Sequence, residues 1–221
     1  MRVPTGSAEL WKTYVGRPET DVARGNAMTQ LGNGLYDIGH HEDALSVEEA
    51  RLSLIRRTGA SEHDMLVAQG NLACTYNKLG RHEEALQLKR EVFSGYMKLL
   101  GEENEETLTA ANNYTNSLND HQSFEGAKSL LRKMIPVARR VFDESSEITL
   151  KMRWKYAEAL CRDTAATLDD VREAVKTLED TERTARRVLG GAHPLTSTIE
   201  RYSREARAAL RARETPPAGS A

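Results

Sequence analysis

Residues 71–108 read NLACTYNKLGRHEEALQLKREVFSGYMKLLGEENEETL, and the chain nearly copies them on both sides. Upstream, residues 30–66 read QLGNGLYDIGHHEDALSVEEARLSLIRRTGASEHDML. Downstream, residues 113–150 read NYTNSLNDHQSFEGAKSLLRKMIPVARRVFDESSEITL. A recurring segment of this size cannot bury its apolar face alone and must lay it on the next copy, which builds a solenoid. Aligned on one alanine, the copies place Ala44, Ala85, Ala127 and Ala174 at separations of 41, 42 and 47 residues. A second column, Gly32, Ala73, Thr115 and Ala157, lies one helix earlier. A third, Met65, Thr107, Thr149 and Thr196, stands near the start of each first helix. Small residues in the first two columns let paired helices approach closely.

Each copy reads as two helices. In the second, helix A is expected over 62–79, with Leu66, Leu72, Ala73, Tyr76 and Leu79 at helical spacing. Helix B is expected over 82–100, with Ala85, Leu88, Val92, Tyr96 and Leu99 on one stripe. Gly80 and Gly101 close the two helices, since glycine accepts the left-handed conformation that a helix end needs. The fourth copy has a longer turn, RDTAATLDD, with Thr167 or Asp169 as the next N-cap. The expected fold class is all-α: a right-handed α-solenoid of antiparallel helix pairs, with nine to ten helices. Residues 1–19 read as a partial repeat or cap helix, and four pairs follow at about 20–61, 62–103, 104–145 and 146–192. Residues 193–213 read as a capping helix, with Ile199, Tyr202, Ala206, Ala209 and Leu210 on one side, and 214–221 as a disordered tail.

Composition narrows the function. A net charge of −2 lacks the basic excess that a nucleic-acid partner favours. No apolar run approaches the ~20 residues that span a bilayer, and no secretory leader is evident, so a cytoplasmic protein is expected. The two cysteines, Cys74 and Cys161, read as free packing thiols. HEDAL at His41 and HEEAL at His82 begin like the zinc motif H-E-x-x-H, but Leu45 and Leu86 stand where the second histidine is required. With no phosphate loop, no nucleophile elbow and no metal cluster in the sequence, neither catalysis nor a cofactor or metal is expected.

The small residue in helix A and the early alanine in helix B resemble the tetratricopeptide repeat. The period of about 42 residues, together with LLGEENEET and VLGGAHPLT, resembles the kinesin light chain type. The resemblance covers about residues 11–211 and implies a docking module for peptides or partner proteins, with no chemistry of its own. In this family helix A lines the concave face. The groove would then present Asn33, Asn71, Asn112, Asn113 and Asn116 as clamps for a peptide backbone, which a carboxamide can meet with donors and an acceptor. It would end in Lys151, Trp154 and Lys155, a rim suited to acidic residues. Each of these has a plainer reading: solvated helix positions for the asparagines and lysines, interhelix packing for the tryptophan. Asn113, Lys151 and Lys155 also match half of the carboxylate clamp that some tetratricopeptide proteins carry, but Gly70 and Cys74 replace the other half. The expected partner is a protein or an acidic peptide, with the chain a monomer or weak homodimer. The alternative is a structural or self-association segment, with Leu10 and Trp11 in its contact, or a regulatory arm of a larger protein.

Overall fold

The computed structural model describes residues 14–19 and 21–215. Among them are nine helices and no strand. They are α1 (Val22–Asp37), α2 (His41–Thr58), α3 (Glu62–Lys78), α4 (His82–Leu100), α5 (Glu105–Asp120), α6 (Phe124–Phe142), α7 (Glu147–Arg162), α8 (Leu168–Leu189) and α9 (Pro194–Glu214). Only 14–19 of the expected N-terminal cap is described, and there the chain turns, with Arg17 N–H bonded to the Tyr14 carbonyl. Leu10, Trp11 and the tail beyond Thr215 lie outside the described residues.

Helix starts follow from short polar side chains that accept the first free N–H groups. Asp21, Ser61, Asn104, Ser146 and His193 each cap the helix that follows. Thr167, one of the two residues expected to cap the fourth B helix, does so through a capping box with Asp170. The turns between paired helices repeat one geometry. Gly39, Gly80 and Gln122 take φ of 82°, 76° and 57° at equivalent places. In each, the next residue's N–H bonds back to Leu35, Tyr76 or Leu118. The third copy thus puts a glutamine where the left-handed region favours glycine, at a cost of roughly 1–2 kcal/mol. The longer fourth turn abandons this geometry. It is held instead by Lys128, which pairs with Asp163 at 2.8 Å.

The chain forms two compact units that divide at the end of α4. In the first, α2 packs on α1 and α3, and Leu52, Ile55, Ala68 and Leu72 form a buried cluster. Helix α4 comes so close to α3 that a Cβ on Gly95 would stand 2.4 Å from a Leu66 methyl. In the second unit α5 to α9 pack in sequence, and the first helices of successive pairs, α5, α7 and α9, also touch one another. The alanine column Ala44, Ala85, Ala127 and Ala174 has no exposed surface, and Ala73, Thr115 and Ala157 have none either. The last helix is less apolar than its sequence implied: Ile199 and Ala206 are buried, but Ala209 is exposed and Leu210 half-buried.

Four residues after each column alanine the two units differ. The second unit buries Leu131 and Leu178, whereas the first buries Glu48 and Lys89. Glu48 accepts a hydrogen bond from Thr75 Oγ1 at 3.1 Å, and its other oxygen is buried without a partner. Burial pushes its carboxyl up to about 7. A raised acid favours folding while protonated, and that contribution is lost as pH rises from the unfolded value, near 4.3, through 7. Unfolding free energy is therefore expected to fall by about 3 kcal/mol between pH 4.5 and 8 on account of Glu48. Glu48→Gln, which keeps the acceptor for Thr75, should remove that fall in urea titrations at the two pH values.

Candidate functional site

The outward residues of the first helices are the candidate binding surface, and neighbouring helices use many of them. On the first unit, Asn71 of α3 donates its amide to Asn33 Oδ1 of α1 at 3.2 Å. Both side chains keep access to solvent. Beside them Cys74 is half-buried, and burial raises its thiol above the ordinary value, so it does not supply a thiolate at neutral pH.

The second unit carries a denser network. Lys155 on α7 is buried and donates to Asn112 Oδ1 on α5 at 2.9 Å. Asn119, two turns beyond Asn112 on α5, is also buried. It donates to the Lys155 carbonyl at 3.2 Å and to Glu158 at 3.3 Å. Glu158 in turn accepts from Arg162 at 3.0 Å and from the Tyr202 hydroxyl of α9 at 2.9 Å. Trp154 lies against the Tyr202 ring, with centroids 5.4 Å apart.

This changes the expected rim. Lys151 and Lys155 do not project together: Lys155 turns inward to Asn112, and Lys151 pairs with Glu147 at 2.6 Å on its own helix. Asn112 likewise leaves the open face, because an ammonium taken out of water needs an oxygen acceptor. The half-clamp for a carboxylate is dissolved by the same pairing. Asn113 and Asn116 are placed differently, half-exposed on α5. Of the eight expected site residues, Asn33 and Asn71 come together, as do Asn112 and Lys155, and Trp154 packs on α9.

Single-helix periodicity does not pair Glu158 with Tyr202, which the structure joins by a hydrogen bond. A legible signal existed in the small-residue register, since Tyr202 and Glu158 are 44 residues apart on successive first helices. Together with Cys161, Arg162, Glu205 and Leu178 they line a cavity of about 380 Å³ between α7 and α9. Burial pushes the Cys161 thiol up to about 11, so this cavity presents a neutral sulfhydryl. His41 and His82 each open a helix, as Phe124 does, and His41 stacks on Tyr36 at 5.2 Å. Among the described residues no group of histidine, cysteine and carboxylate could hold a metal ion. None of the described helices is long and apolar enough to cross a membrane.

Neighbouring asparagines should therefore separate by role. Asn112→Ala removes the acceptor from a buried ammonium and should cost roughly 1–3 kcal/mol in chemical denaturation. Asn113→Ala should change stability by less than about 0.5 kcal/mol, as surface substitutions do. Equal losses would contradict the assignment of Asn112 to the interior.

Residues 65–106 match the tetratricopeptide repeat family. The fold is similar to that of a Podosopora anserina protein described as a kinesin light chain with nearly identical TPR-like repeats. The TM-score is 0.73 at 21% identity, over 86% of this chain and 88% of that one. It is also similar to BtubC from P. vanneervenii, with a TM-score of 0.64 at 14% identity over 98% and 94% of the two chains. A Rap protein complexed with Competence and Sporulation Factor gives 0.59 at 15% identity, over 93% of this chain and 58% of that one. No curated protein matches the sequence. The chain thus carries a tetratricopeptide repeat within an all-α array of antiparallel helix pairs, the fold of kinesin light chain-like repeat proteins.

Proposed function

We propose that this chain is a non-enzymatic, cytoplasmic interaction module that holds an extended peptide or partner segment against its first helices. The observation that carries this reading is the division of labour on α5. Asn112 and Asn119 tie the helix to α7, while Asn113 and Asn116 keep their carboxamides half-open to solvent. Asparagine is a poor helix former, so a helix that retains two beyond its structural needs gains nothing in stability from them. Their donors and acceptor suit a peptide backbone in any sequence. On the other unit Asn33 and Asn71 have only one bond between their side chains, which leaves capacity for a ligand.

Selection among peptides falls to the residues around these clamps. Lys151 is the cation that remains accessible for an acidic ligand side chain, in exchange for its surface pairing with Glu147. Such exposed pairs are worth little, about 0–1 kcal/mol, so the exchange is cheap. The Rap complex adds general support, because a similar fold there accompanies a bound factor.

The test is a peptide-array screen followed by titration of the selected peptide. Asn71→Ala combined with Asn113→Ala should weaken binding at least about tenfold, or ~1.4 kcal/mol, with the melting curve nearly unchanged. Unchanged affinity in that double variant contradicts the asparagine clamp.

A further inference from the structure

Where the third copy has Glu103 the fourth has Ser145, and the difference leaves an arginine without an ion-pair partner among the described residues. Counted from the column alanines Ala127 and Ala174, Arg140 on α6 and Arg187 on α8 are equivalent. Counted from the helix caps Asn104 and Ser146, Glu103 and Ser145 are equivalent. In the third copy Arg140 pairs with Glu103 at 2.9 Å. In the fourth copy the residue in place of that glutamate is Ser145, and Arg187 has no ion pair with a described residue.

The surroundings do not replace the lost carboxylate. Arg187 lines a cavity of about 480 Å³ with Glu144, Arg153, Asp180, Arg183 and Thr184. Glu144 is shared by two arginines, Arg153 at 2.8 Å and Arg139 on its other oxygen. Asp180 pairs with Arg183 one turn along α8. Three guanidiniums of the lining therefore face two carboxylates, one of which is also shared with Arg139. Arg153 is largely withdrawn from water, with 12% of its side chain exposed, so charge placed in the cavity is incompletely screened. Burial lowers its pKa, and Glu144 and Asp180 act against that shift.

We propose that this cavity is an oxyanion site, in which Arg183 and Arg187, backed by Arg153, bind a phosphate group. Guanidinium is planar and offers paired N–H donors that match two oxygens of a phosphate. The anion would supply the negative charge that Glu103 supplies to Arg140 in the preceding copy. This site is independent of the asparagine face and does not rest on the peptide-binding reading.

Arginine Nε–H resonances followed by NMR during titration with inorganic phosphate provide the test, with chloride at matched ionic strength as reference. Saturable shifts at Arg183 and Arg187, seen with phosphate and not with chloride, are expected. Ser145→Glu, which restores the missing carboxylate, should weaken phosphate binding at least tenfold. Arg187→Gln should do the same without altering the fold of α8. A phosphoserine peptide is the second probe: the order of affinity between it and inorganic phosphate distinguishes a phosphorylated side chain from a free anion as the source. Linear shifts that chloride reproduces, or equal affinity in wild type and both variants, would overturn the proposal.

Discussion

Close approach of helix pairs at side chains no larger than a methyl group is the constraint on which the rest of the structure depends. Ala44, Ala85, Ala127 and Ala174 expose no surface; the first three sit in the first turn of their helices and Ala174 in the second. Interiors pack at crystalline density, so a larger group there has nowhere to go without moving a backbone. Once that spacing is set, the spacing between first helices follows, and with it the reach of every residue that bridges them. Asn71 meets Asn33 and Lys155 meets Asn112 because their helices are held at hydrogen-bonding range.

The two units fill their interiors by different chemistry on the same pattern. Leu131 and Leu178 supply apolar contact in the second unit, where Glu48 and Lys89 occupy the first. A buried carboxylate with one unpartnered oxygen costs stability that a leucine would not. Glu48 thus couples the stability of the first unit to pH. In the second unit the buried charges of Lys128, Lys155 and Glu158 each have hydrogen-bond partners, while near the surface the arginines beside Glu144 outnumber their partners.

Much of the fold was legible because it rests on periodicity. The three columns, the boundaries of α4 and the cap at Thr167 follow from spacing and local hydrogen-bonding chemistry, which a sequence displays directly. The surface was less legible. Helical spacing sets Asn112 and Lys155 off the apolar stripe, but that direction leads to the next first helix before it leads to solvent. Which outward residue meets a neighbour and which stays open depends on the offset between successive copies, and single-helix periodicity carries no such information. Tyr202 illustrates the same limit: its ring packs on Trp154 while its hydroxyl reaches Glu158.

The alanine column, and no general preference for small residues in these helices, sets the approach of the pairs. Helix α2 contains both situations, with Ala44 fully buried and Ala50 exposed. The direct measurement is urea unfolding of Ala44→Leu and Ala50→Leu under identical conditions. Ala44→Leu is expected to lose about 1–3 kcal/mol, the usual cost of overpacking, while Ala50→Leu stays within about 0.5 kcal/mol of wild type. Equal stability of the two variants would contradict the account.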